Sequence, residues 1–309
     1  MKTRSRILLL LLILAGLAPV AGAKNGFNLS NLTVPISEVF SGGPPRDGIP
    51  SIDDPKFESV AAASWLRDDD LVVGVSVGDE DRAYPIRILV WHEIVNDTVG
   101  GEAVAVTYCP LCGTAMTFDR RINGKTLSFG VSGLLYQSDV LMYDRETESL
   151  WSQLAMKSLS GPSVGLTLTW LPSDLVTWKV WRETHPDTLV LSRDTGERRD
   201  YDHLPYEGYE DHEETIFPVP AHRTELTNKE WVVGLLVDGA ALALPVTALA
   251  EQKGADIPVT MGGSTITVRH DPGTRRVTAH RADGELIPLV HVYWFAWQAF
   301  YPDTVLWEN

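Results

Sequence analysis

The residues Val72 to Leu89 return as Val232 to Leu249 at a constant offset of 160, with Val72, Val73, Gly74, Val77, Ala83, Pro85 and Leu89 recurring identically. The same ungapped register continues through Thr107 and Thr267, Gly113 and Gly273, Thr114 and Thr274, Arg121 and Arg281, and Gly124 and Gly284. A second match closes each unit. Trp178-Lys-Val-Trp181 followed by His185-Pro-Asp-Thr188 lies over Trp294-Phe-Ala-Trp297 followed by Tyr301-Pro-Asp-Thr304, now at an offset of 116. The second unit is therefore shorter by 44 residues. Self-similarity of this kind points to repeated structural units, and any fold for the chain must accommodate the same scaffold twice.

Each unit opens on a β-rich run, a tight turn at Gly78-Asp-Glu-Asp81 or Asp238-Gly239, and a returning strand that ends in a Pro-led segment. That pattern predicts a hairpin. Ile86 to Val95 has the mixed apolar spacing of a short helix carrying Trp91, His92 and Glu93, whereas Ala103 to Thr107 and Ala115 to Phe118 read as strands. Asn123-Gly124 and Asp283-Gly284 are turn pairs, and Trp178 to His185 predicts a short helix stopped by Pro186. The expected class is mainly β with short helices, an α+β fold of two tandem related modules arising from an internal duplication. The expected division is a signal peptide over 1–23, a first module over 24–200, an acidic linker over 201–220 and a second, shorter module over 221–309.

The amino terminus carries Lys2, Arg4 and Arg6, then an unbroken apolar run from Ile7 to Leu17 and the small residues Ala21-Gly22-Ala23. This is the layout of a cleaved secretory signal, and the run is too short for a spanning helix. The expectation is an exported protein, periplasmic or extracellular, without a stable membrane span after cleavage. The formal net charge of -15, with no basic stripe, excludes sequence-independent nucleic-acid binding, because phosphate contacts need clustered Lys and Arg. Nothing indicates a nucleotide cofactor. The partners to expect are a metal ion, a small ligand or another exported protein.

Chemistry-capable groups concentrate in the first unit. Its two cysteines, Cys109 and Cys112, sit in Tyr108-Cys-Pro-Leu-Cys-Gly113, and at offset 160 they fall on Arg269 and Pro272, while His92 falls on Gln252 and Glu93 on Lys253. Cys-x-x-Cys followed by Gly has the form of a metal knuckle, but a tetrahedral site needs more ligands than these two. His92, Asp139 or Met142 are the candidates to complete it, for Zn or Cu. Two alternatives stand beside a metal site. One is a structural Cys109–Cys112 disulfide. The other is a thiol-dependent or redox enzyme, with Cys109 or Cys112 as nucleophile, His92 as base and Arg145 holding an anionic substrate. A thioredoxin fold is disfavoured, because Thr117 to Gly124 reads as strand and turn where a helix should follow the motif.

The residues absent from the second unit, roughly 130–169, include a polar run from Ser138 to Gln153. Ser138, Asp139, Tyr143, Asp144, Arg145, Trp151 and Gln153 are expected to line a ligand pocket, with Arg145 binding carboxylate or phosphate and Trp151 offering a stacking face. The competing picture is a hairpin with a solvated turn at Asp144 to Glu148 and Trp151 in the core. His203, His212 and His222 follow no compact ligand spacing and are expected in a solvated connector.

The blocks Trp91-His-Glu-Ile-Val-Asn-Asp97, Tyr108-Cys-Pro-Leu-Cys-Gly-Thr-Ala115, Phe129-Gly-Val-Ser-Gly133 and Ser138 to Gln153 resemble the domain-of-unknown-function family numbered 3179. The resemblance is strongest over 50–194 and also takes in Trp178 to Thr188. It implies a prokaryotic exported or membrane-associated protein and no particular reaction. Its motifs map onto His92, Cys109, Cys112, Ser138, Asp139, Tyr143, Asp144, Arg145, Trp151 and Gln153. Gly113 departs from the pattern, which leads us to expect Asn at that place.

Overall fold

The computed structural model describes residues 23–219, 223–252, 254–274 and 276–308, and in these the chain is mainly β, with four short α-helices. The expected leader, apart from Ala23, and His222 lie outside the described residues. No helix among the described residues is long and apolar enough to cross a membrane.

The first half builds a five-stranded sheet in the order Asp174–Thr177, Leu71–Val77, Glu80–Pro85, Leu189–Leu191, Phe57–Ser59. The second half builds a four-stranded sheet in the order Leu289–Tyr293, Trp231–Val237, Ala240–Pro245, Val305–Leu306. The two share their pairings. Val72 faces Pro85 as Val232 faces Pro245, and the parallel pair Val190 with Ala83 has its counterpart in Leu306 with Ala243. In each, a helix follows the hairpin (Ile86–His92; Val246–Glu251) and a second begins on a tryptophan (Trp178–Thr184; Trp294–Phe300). Gly74 and Gly234 are small for one reason: a Cβ there would stand 2.2 Å from the ring of Trp181 and 2.4 Å from that of Trp297. Both indoles donate to a threonine seven residues on, Trp181 to Thr188 at 3.0 Å and Trp297 to Thr304 at 2.9 Å.

The ungapped register at 160 fails after the first helix. Ile94 pairs with Thr107 whereas Asp256 pairs with Arg269, and Cys109 pairs with Thr114 whereas Asp271 pairs with Arg276. The second half has two extra residues between helix and strand, so Asp271 and Thr274 occupy the cysteine places, not Arg269 and Pro272. Strand pairing decides this, since a shift of two residues keeps every side chain on its proper face and is invisible to a hydrophobic pattern.

The segment missing from the second half is more than a hairpin. Phe129–Tyr136, Asp139–Asp144, Leu150–Ser152 and Lys157–Ser160 form four consecutive antiparallel strands, with Val39–Ser41 added at the edge. Its inner face joins a core that runs through both halves and contains Cys109, Cys112, Met142 and Trp151 together with Val232, Tyr293, Trp294 and Trp297. The expected acidic linker is also folded in: Tyr209 and Val219 enter that core, and the Lys229 ammonium donates to the carbonyls of Tyr209, His212 and Glu214. His203 and His212 are exposed, so the solvated reading holds for the imidazoles and fails for the tyrosines between them.

Candidate functional site

Strand Glu102–Cys109 ends on the first cysteine, and strand Thr114–Asp119 begins directly after Gly113. Cys109 pairs with Thr114, so Pro110, Leu111, Cys112 and Gly113 form a tight four-residue loop that turns both thiols to one side. Gly113 has φ +67°, in the left-handed region. It is also covered: a Cβ there would meet the Trp231 ring at 2.5 Å and the Tyr293 ring at 3.3 Å. The residue in place of the expected Asn is therefore required by the second half, whose aromatic rings lie on the loop. The Tyr293 amide completes the clamp, donating to the Cys112 carbonyl at 3.0 Å.

Facing the thiols is the turn between two strands of the inserted sheet. Gln137 and Ser138 both have positive φ, +54° and +66°, which closes the Tyr136 to Asp139 pair as a two-residue hairpin turn. The turn presents the Ser138 carbonyl, which accepts from the Cys112 thiol at 3.3 Å with the Cys109 thiol at 3.9 Å. It also presents Asp139. The Cys109 and Cys112 sulfurs and an Asp139 carboxylate oxygen all lie within 4.8 Å of one another, and all three residues are buried. Asp139 Oδ2 accepts from the Leu154 amide at 3.0 Å, while Oδ1 and the Ser138 hydroxyl, both buried, have no hydrogen-bond partner of ordinary geometry among the described residues. The cysteines are unbridged.

A fourth acidic group is buried nearby. Glu93 ends the Ile86–His92 helix in a left-handed conformation, φ +59°, and this turn directs its side chain inward. Burial pushes its carboxyl up to about 8, with the Asp139 charge adding to the effect. Burial likewise pushes Asp139 up to about 7 and raises both thiols. Two buried thiols and the buried Asp139 carboxyl thus converge, with Glu93 close enough for its charge and that of Asp139 to disfavour one another, and the group carries little charge while these side chains keep their protons. The sequence counts Glu93 among the chemistry-capable groups of the first unit but assigns it no ligand or catalytic role. The signal was present in the His-Glu dipeptide, whose counterpart in the second unit is Gln252-Lys253.

His92 does not join the thiols. Its Nδ1 is 2.7 Å from the Pro50 carbonyl, which can only accept, so Nδ1 donates and Nε2 accepts from the Tyr201 hydroxyl at 2.7 Å. Both ring nitrogens are used, and burial holds the imidazole below its ordinary pKa. Asp139 takes the place expected of His92, and Met142 packs in the core.

The expected pocket over 138–153 is dispersed. Asp139–Asp144 is covered on both faces, and alternation sends Val140 and Met142 to one core and Leu141 and Tyr143 to another. Tyr143 and Arg145 join a network with Asp47, the hydroxyl donating at 2.6 Å and the guanidinium pairing at 3.2 Å, and Arg145 also reaches Asp53. Asp144 accepts from the Thr147 hydroxyl and from the Trp151 indole, each at 2.8 Å, which fixes a turn and leaves Trp151 wholly buried with no stacking face to offer. Gln153 donates to Thr107 at 2.7 Å and accepts from Thr114 at 2.6 Å, tying the inserted sheet to the strands that flank the thiol loop. Only Ser138 and Asp139 of the seven lie at the thiols.

A family model described as a protein of unknown function, DUF3179, matches residues 46–286, and the chain belongs to that family. No curated protein and no solved structure gives a match.

Proposed function

We propose that this DUF3179 member is a metal-binding protein, with Cys109, Cys112 and Asp139 as ligands for a divalent, zinc-like ion. The observation that carries the reading is the convergence of two thiols and a carboxylate, all buried, within 4.8 Å of one another. Ligands at about 2.0–2.3 Å from a tetrahedral zinc stand roughly 3.5–3.8 Å apart, so small side-chain shifts suffice. Two thiolates with a carboxylate favour Zn(II), whereas Cu(I) would prefer a thioether, and the group that converges with the thiols is the Asp139 carboxylate. Three protein ligands are the number found in zinc sites that keep one position for water or substrate. Glu93, whose carboxyl burial and the Asp139 charge push up to about 8, would be the group to take and return a proton there.

Thiol catalysis draws no support from the site. An activated cysteine needs a lowered pKa, and burial moves both thiols the other way. We further infer that the amino-terminal segment exports the chain, where a bound metal would protect the thiols from oxidation, and that the two sheets are copies of one duplicated unit. Their common strand order and paired Gly–Trp contacts support the duplication. In this reading the copy at 221–309 lost the ligands and serves to clamp the thiol loop of the copy at 24–200.

The test is elemental analysis of the purified protein, with competition against a chromophoric chelator. About one zinc per chain, lost in Cys109→Ser and in Asp139→Asn, is the expected result. Metal-free protein that takes up no zinc with its thiols demonstrably reduced overturns the proposal.

A further inference from the structure

A cleft of about 350 Å³ opens on the outer side of the thiol loop, a size typical of small-molecule sites. Its walls come from three parts of the chain: Tyr108 from the first half, Tyr206 and Tyr209 from the connecting segment, and Trp231 and Tyr293 from the second half. The rings brace one another, with centroids 4.4 Å apart for Trp231 and Tyr293, and 6.4 Å apart for both Tyr206 with Tyr209 and Tyr209 with Tyr293. Glu207 and Glu210 are the only charged residues among those lining the cleft, and both are exposed. Glu210 lies against the ring wall, accepting from the Tyr293 hydroxyl at 3.5 Å. Among the described residues, no Lys, Arg or His lines it.

Aromatic faces carry partial negative charge, and a cleft lined by five aromatic rings and two carboxylates attracts a cation and repels an anion. The rings already hold one. The Lys229 ammonium stands 3.4 Å from the Tyr209 centroid and 5.9 Å from that of Tyr293, and Lys229 is not among the residues lining the cleft. A hydrated metal ion would gain little from apolar ring faces. A poorly hydrated organic cation gains both the cation–π attraction and the burial of its alkyl groups against Leu71, Val90 and Leu175.

We propose that this cleft binds a small organic cation, an alkylammonium or quaternary ammonium compound, between Tyr108, Tyr206, Tyr209, Trp231 and Tyr293, with Glu210 as its counter-charge. The proposal does not rest on the metal reading, because none of these five aromatic side chains is a proposed ligand. The experiment is isothermal titration of the full chain in phosphate buffer with choline, with its neutral carbon isostere 3,3-dimethylbutan-1-ol, and with acetate. Choline should bind saturably and about tenfold more tightly than the isostere, a difference of about 1.4 kcal/mol. Glu210→Gln, at an exposed position, should weaken choline several-fold while leaving the thermal unfolding of the protein and its zinc content unchanged, and Tyr206→Leu should weaken choline several-fold with zinc content unchanged. Equal binding of choline and isostere, tighter binding of acetate, or no choline binding up to tens of millimolar would each overturn the proposal.

Discussion

The backbone amide of Tyr293 donates to the carbonyl of Cys112 at 3.0 Å, and through this bond the half of the chain that lacks cysteine holds the thiol loop of the half that has it. The Tyr293 and Trp231 rings lie on Gly113 directly beside the bond. The loop is thus clamped from a point 181 positions later in the chain.

Gly113→Ala is expected to damage the loop twice, by placing a side chain at φ +67° and by driving its Cβ into the Trp231 ring. The left-handed conformation alone costs about 1–2 kcal/mol. Denaturant unfolding should show at least that loss, and chelator competition should show weaker zinc binding. Trp231→Leu in the same chain should recover only the part due to the clash.

Asp139→Asn tests the ligand assignment without changing shape. Zinc affinity should fall by more than the roughly 10–100-fold typical of a residue that only supports a ligand. The metal-free protein should be no less stable, because burial penalises the Asp139 carboxylate and the amide needs no ionisation. A variant that keeps full affinity would remove Asp139 from the site.

The pH dependence follows from the raised carboxyls. In the metal-free fold Glu93 keeps its proton up to about 8 and Asp139 up to about 7, whereas the unfolded chain releases both in the ordinary carboxylate range. The native state then binds more protons than the unfolded state, so these groups stabilise fully at low pH and lose that contribution as pH rises toward 8. The slope is about 1.4 kcal/mol per pH unit for each group across its window. Chemical denaturation between about pH 5 and 8 should show the decline, and Glu93→Gln should remove one share of it. With zinc present the trend should reverse, since protons compete with the ion for its ligands.

Gly74→Ala and Gly234→Ala should destabilise the protein alike. Each puts a methyl group within 2.5 Å of a buried indole, Trp181 in one case and Trp297 in the other. Overpacking of this kind costs about 1–3 kcal/mol, and thermal unfolding of the two variants side by side is the measurement.

Much of the architecture was legible because it depends on local pattern. The turn pairs at Gly78, Asn123 and Asp238, the short helix from Trp178 and the strand directly after the second cysteine all form where alternation and turn chemistry predict them. His92 illustrates the opposite case. A lone histidine near a Cys-x-x-Cys reads as a ligand until Pro50 and Tyr201, 42 and 109 positions away, are seen to occupy both nitrogens. Trp151 and Gln153 likewise read as pocket residues until the sheet that carries them is seen to be covered on both sides.

The sequence by itself determined the β-rich class, the repeated Gly–Trp scaffold, the two cysteines on a tight loop and the family, because these are written in spacing along the chain. The tertiary structure alone decided what stands opposite the cysteines. The Ser138–Asp139 turn, Glu93 and the aromatic clamp of Trp231 and Tyr293 arrive on separate elements, and the packing of one sheet against another sets which side chains share a buried space. Burial then sets their chemistry, since the same carboxyls in water would be ionised at neutral pH and would need no cation to become so.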